Sequence, residues 1–110
     1  ENVKITEFTV APQVTPKSGL PHHEWFVEFD NPPIDLEAFS QELDINLRKR
    51  NSYYDDLITG NILTPLKIRT LKKASFINYM RSEGKLGGQN KVPRLSNDRK
   101  LAEALENYTH

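Results

Sequence analysis

Residues 22–50 read His-His-Glu-Trp-Phe-Val-Glu-Phe-Asp-Asn-Pro-Pro-Ile-Asp-Leu-Glu-Ala-Phe-Ser-Gln-Glu-Leu-Asp-Ile-Asn-Leu-Arg-Lys-Arg. The first nine are aromatic and β-branched types interleaved with acids, the pattern of a strand. Trp25, Val27 and Phe29 share one parity, Glu24, Phe26 and Glu28 the other; the first set is expected to face the core. Asn31-Pro32-Pro33 stops the strand. Asp35 then caps a helix, with Glu37 in its first turn and Arg48, Lys49 and Arg50 in its last, so both ends suit the helix dipole. Leu36, Phe39, Leu43 and Leu47 recur at helical spacing and form one apolar stripe.

Outward from this stretch the punctuation continues. Residues 3–11 are β-rich and form a strand before Pro12, with Val3 and Ile5 on one parity and Phe8 and Val10 on the other. A bulge, or burial on both faces, explains that switch. Residues 12–21, with Pro12, Pro16, Gly19 and Pro21, read as a loop, so the two strands make a hairpin with a long connection. Ser52 with Asp55 gives a capping box for a short helix ended by Gly60. Pro65 to Lys73 reads as a third strand with Lys67 and Arg69 exposed. Ser75 then caps a helix with Phe76, Ile77 and Met80 inward, ended by Gly84. Ser96 or Asn97 caps a last helix with Leu101, Ala104, Leu105 and Tyr108 inward. The order is β-β-α-(α)-β-α-loop-α. It predicts an α+β fold, a small mixed or antiparallel sheet flanked by helices.

The 110 residues suit one domain. Leu, Ile, Val and Phe number 29, enough apolar side chains to exclude intrinsic disorder. No apolar run reaches the length of a membrane span. Cysteine is absent, which excludes disulfides and thiolate metal or redox sites and fits a cytoplasmic protein. A chain starting at Glu1, without Met, reads as a piece of a longer protein. The zero net charge hides a gradient. Residues 1–46 carry two lysines against nine acids, and residues 47–110 carry thirteen lysines and arginines against six acids. A basic segment can attract an anion, although most charge runs are solvated surface.

Chemistry-bearing motifs are few. His22 and His23 are adjacent, so in a strand they point to opposite faces and cannot share a metal; no metal site is expected. Asp55 and Asp56 suit the start of a helix. Tyr53 and Tyr54 beside Arg48, Lys49 and Arg50 could stack on bases, but such tyrosines are more often half-buried. The most unusual stretch is 84–96. Gly84, Gly87 and Gly88 allow close backbone approach to a ligand, and Lys85, Lys91 and Arg94 add three cations. Neither the P-loop nor the G-x-G-x-x-G spacing is present.

Gly-Gly-Gln-Asn-Lys-Val-Pro-Arg-Leu (87–95), followed by Ser-Asn-Asp-Arg, resembles the G-x-Q-x-K-x-P-R signature near the carboxyl end of the auxin-responsive promoter family. Asn51-Ser52-Tyr53-Tyr54 and Pro65-Leu66-Lys67-Ile68-Arg69 with Phe76 resemble further segments of that family, and bacterial members most closely. Its members are acyl acid amido synthetases of the acyl-adenylate-forming superfamily. The resemblance implies that residues 1–110 are one C-terminal lid domain, whose partner is a large N-terminal adenylation domain. That domain would hold most of the ATP and Mg2+. The whole enzyme would join a small acyl acid to an amine or amino acid. Lys91 would be the catalytic lysine that enters the active site during adenylation. Lys85, Arg94 and Gln89 would contact phosphates, and Gly84, Gly87 and Gly88 would be hinges. The fragment alone would be inactive. The resemblance weighs against membrane and nucleic-acid partners. Without it, the basic half reads as a stand-alone module for single-stranded nucleic acid or an acidic protein.

Overall fold

A computed structural model describes residues 3–13, 21–84, 95 and 99–109. In chain order the elements are β1 (Lys4–Gln13), β2 (His22–Asn31), α1 (Leu36–Arg50), α2 (Ser52–Thr59), β3 (Lys67–Leu71), α3 (Ser75–Ser82) and α4 (Lys100–Leu105), closed by a 3-10 turn over Glu106–Tyr108. The sheet order is β1-β2-β3. β1 runs antiparallel to β2, and β3 runs parallel to it. The sheet is therefore mixed. Parallel pairing needs a crossover, and α1 with α2 supplies it.

The parity switch in β1 is a bulge. Ile5 pairs with Phe29 and Glu7 with Glu28, so Thr6 is the extra residue and the side chains beyond it change face. β1 also runs further than the sequence suggests. It continues through Pro12, opposite His23, to Gln13. β1 is an outer strand, where a residue lacking an N–H is tolerated. The rest of the expected 12–21 loop, from 14 to 20, lies outside the described residues.

Both faces of β2 are buried, which corrects the expectation that only the Trp25, Val27 and Phe29 face is core. The largest apolar cluster lies on the other face: Phe26 is fully buried with Ala11, Leu71, Phe76, Leu101, Ala102 and Leu105, and Tyr79 and Tyr108 pack at its edge. This is the α3–α4 side of the sheet. On the α1–α2 side, Phe29 meets Phe39 edge to face at 5.9 Å, His23 stacks on Tyr54 at 5.6 Å, and Trp25 stacks on Phe8 at 5.3 Å. A central strand covered on both sides does not alternate cleanly.

Helix ends follow local chemistry with three departures. Asp35 caps α1, its Oδ1 accepting the Ala38 N–H at 3.1 Å. α2 is capped by Asn51, not by Ser52: the Asn51 side chain accepts from the Tyr54 N–H at 3.1 Å, which places Ser52 inside the first turn. α3 has Ala74 at its cap position in the left-handed conformation, φ 66°, with no capping side chain of its own. Ser75, expected as the cap, is buried and donates its hydroxyl back to the Lys72 carbonyl. Ile77 of α3 is half exposed, and in α4 the buried alanine is Ala102 instead of Ala104. α4 starts at Lys100 with Arg99 at its cap position and no capping side chain, so the expected caps Ser96 and Asn97, which lie outside the described residues, do not start it.

Candidate functional site

Glu24, Phe26 and Glu28 project from β2 toward α3 and α4, and the two carboxylates organise that side. Glu28 is buried and accepts the Ala74 N–H at 2.9 Å and the Phe76 N–H at 3.0 Å. It thus caps α3 from a strand 48 residues away. A carboxylate there satisfies otherwise orphaned donors and faces the positive end of the helix dipole. The chain turns out of α3 at Gly84, whose φ is +68° and beside which an added Cβ would meet nothing within 4 Å. Glycine is needed there for backbone conformation, not for space.

Glu24 carries an ion network. Its side chain is 9% exposed, and its two oxygens take different arginines: Arg99 at 2.6 Å and Arg69 at 3.4 Å. Arg99 also donates to the Pro12 carbonyl at 3.4 Å. Arg69 forks onto Glu106 with bonds of 2.9 and 3.2 Å, and its guanidinium lies 5.7 Å from the Phe26 ring centre. Burial opposes the charge on Arg69, but its contacts with Glu106 and Glu24 outweigh that and hold its pKa above the ordinary value. Leu95 adds a tie at the edge of the sheet, bridging to Val10 of the outer strand β1.

The opposite side holds a separate buried network. Asp44 is the buried residue of α1. It accepts the Tyr54 hydroxyl, and the Leu66 N–H reaches both Asp44 Oδ1 and the Tyr54 oxygen at 3.2 Å. Burial and then the Asp44 hydrogen bond push the Tyr54 pKa upward, so its proton stays in place. Burial and then neighbouring His22 lower the His23 pKa. Tyr53 is 74% exposed. Asp55 pairs with Arg48 at 2.6 Å across the α1–α2 corner.

Of the residues that the family resemblance assigns to the site, only Gly84 is described. Lys85, Gly87, Gly88, Gln89, Lys91 and Arg94 lie outside the described residues. What the structure places is the chain on either side of them. Gly84 follows α3, whose start is held by Glu28; Leu95 and Arg99 are held by β1 and Glu24. Sequence reading passed over Glu24, Glu28, Asp44 and Arg99. The unbroken apolar run Trp25-Phe26-Val27 was the available signal, since it marks a strand covered on both faces, where a glutamate must find a partner. Among the described residues, no three His, Asp or Glu side chains converge as a metal site, and no helix is long and apolar enough to cross a membrane.

Residues 1–100 match the model of the GH3 family C-terminal domain. The chain belongs to the GH3 family. Among the solved structures that share its fold are two GH3 structures. One is a GH3.15 acyl acid amido synthetase, with a TM-score of 0.78 at 16% identity over 100% of this chain. The other is an AtGH3.15 acyl acid amido synthetase in complex with 2,4-DB, with a TM-score of 0.73 at 18% identity over 99% of this chain. The chain spans 20% and 21% of the length of those GH3 structures. No curated protein matches it.

Proposed function

We propose that this chain is the C-terminal lid domain of an ATP-dependent acyl acid amido ligase. The observation that carries the reading is the match of residues 1–100 to the GH3 C-terminal domain, a span that includes the 87–95 signature. In this reading the whole enzyme works in two steps. The acyl carboxylate attacks the α-phosphorus of ATP and pyrophosphate leaves. An amine then attacks the acyl carbonyl, and AMP and a proton depart. ATP and its Mg2+ are held mainly by the large preceding domain. The buried acids described here do not suit a metal: Glu24 is taken by two arginines, Glu28 by backbone N–H groups and Asp44 by Tyr54 and the Leu66 N–H.

Lys91 serves the first step. Charge gathers on phosphoryl oxygens and on the incoming carboxylate, and a point cation on a flexible stem offsets it in a water-poor cleft. Lys85, Arg94 and Gln89 contact phosphate, and Gly84, Gly87 and Gly88 let the segment move. The test is Lys91→Ala in the full-length parent. Pyrophosphate exchange should slow by roughly 10²–10³, the scale for one preorganised charge stabiliser. Amide formation from preformed adenylate should change far less, and the thermal midpoint should stay in place. Equal exchange rates in wild type and variant would remove Lys91 from adenylation.

A further inference from the structure

The two sides of the sheet are not covered equally. On the α3–α4 side Phe26, Leu71, Phe76, Leu101 and Leu105 are all buried. On the α1–α2 side the apolar stripe of α1, Leu36, Phe39, Leu43 and Leu47, is only half-buried, and the one fully buried residue of that helix is Asp44. The strand beneath adds to the surplus. Paired residues of a sheet share a face; Ile5 pairs with Phe29 and Phe8 with Val27, so the bulge at Thr6 puts Ile5 and Phe8 both on the α1–α2 side. Ile5 nevertheless stays 46% exposed. Between α1 and the start of β1 lies a groove of about 260 Å³ lined by Val3, Phe39, Glu42, Leu43 and Asn46. Glu42, exposed on its rim, has no ion-pair partner among the described residues.

We propose that this groove seats the large domain that precedes residues 1–110 in the parent enzyme, through apolar side chains and a basic group that meets Glu42. The inference rests on the ligase reading above, which supplies that domain. Three observations select this occupant. This chain spans 20% and 21% of the two GH3 structures and matches the model of a C-terminal domain, so in proteins of this build most of the chain lies before it. Val3, where the described chain enters β1, itself lines the groove, so a domain attached there is tethered at the groove's edge. A short tether gives an effective concentration of about millimolar, at which a weak contact suffices. Finally, a groove lined by five residues falls short of the roughly 20–30 residues a side that two free proteins use, which disfavours a second copy. Contacts between domains of one chain are also more polar than permanent interfaces, as befits half-exposed apolar side chains beside Glu42 and Asn46.

The experiment uses the full-length parent without nucleotide. A benzophenone side chain is placed at Ile5 or, on the opposite side of the sheet, at the similarly exposed Ile77 of α3. Irradiation should join position 5 to peptides that precede Glu1 in the same molecule, with a yield severalfold above that from position 77. Equal yields at the two positions, or attachment only to this domain's own residues, overturn the proposal. Covalent dimers from position 5 overturn it too, because the groove then seats a second copy. Ile5→Glu and Glu42→Arg are read by hydrogen exchange. Each should raise exchange in α1 and in one patch of the preceding domain, with α3 unchanged; a preceding domain that exchanges as in the wild type overturns the docking. Glu42 is exposed, so Glu42→Arg tests the same contact should Ile5→Glu fail to fold. The two readings fail separately. No attachment from position 5, with pyrophosphate exchange slowed by Lys91→Ala, removes the docking alone. Attachment in a parent that forms no adenylate supports the docking and removes the ligase reading.

Discussion

On the α1–α2 side of the sheet the buried carboxylate belongs to a helix and reaches toward the chain entering β3: Asp44 accepts from Tyr54 and from the Leu66 N–H. On the α3–α4 side the carboxylates belong to the strand and reach up to the helices: Glu28 to the backbone that starts α3, Glu24 to the arginine just before α4. The first arrangement joins α1, α2 and the chain entering β3. The second ties the central strand to the start of α3 and to the residue before α4. Damage on the first side should therefore be felt first in α1 and α2, and damage on the second in α3 and α4.

The comparison can be broken most severely at its shared centre. Phe26→Ala empties the middle of the larger cluster and should cost about 3–5 kcal/mol. A domain of this size has only about 5–10 kcal/mol in total, so the variant should be close to unfolded at physiological temperature in a urea or thermal titration. Glu28→Ala comes next. It strips acceptors from two N–H groups at the start of α3, and about 2–3 kcal/mol should be lost in chemical denaturation. Hydrogen exchange should show the loss concentrated in α3, with α1 protected as before; uniform loss would mean that the strand-to-helix cap is not a local device.

Smaller effects sharpen the contrast on the other side. Tyr54→Phe removes one donor from Asp44 but leaves the Leu66 N–H, so the expected cost is about 1–2 kcal/mol. Hydrogen exchange should show that loss in α1 and α2, and a loss concentrated in α3 would contradict the division between the faces. The mildest probe is pH. Burial lowers the His23 pKa in the folded chain, so the unfolded chain binds the extra proton first. Stability from this group is complete above the ordinary histidine value of about 6.5 and falls as the pH drops below it. His23→Phe keeps a ring against Tyr54 and should flatten that part of the thermal midpoint profile; an unchanged slope would assign the acid sensitivity to other groups.

Local chemistry was legible wherever its cause was local. Asp35 caps α1 because its own side chain reaches three residues on, and the parity change around Ile5 and Phe8 announced the bulge at Thr6. Asn51 was missed as a cap because Ser52 and Asp55 offered an equally plausible box one residue later, a choice that only backbone geometry decides. Glu24 and Glu28 looked like a solvent face because acids alternating with apolar residues usually mark one. Their partners stand 45 to 75 residues away, beyond any periodicity. Ala74 in a left-handed turn has no sequence signal, since its position is fixed by the Glu28 carboxylate above it. The family signature in 87–95 was readable as a string of residues, and the anchors beside it, Gly84 apart, were not.

The far end of β3 is met by the chain's own last described residues: Thr109 bridges to Leu71, and the Lys72 N–H donates to the Tyr108 carbonyl at 2.9 Å. Strands with bare outer edges recruit other strands, and proteins that leave them open tend to self-associate. The residues after α4 therefore cover Leu71, the last residue of that edge. A chain trimmed before Tyr108 would lose that bridge and offer the bare backbone of Leu71 to the next molecule it met.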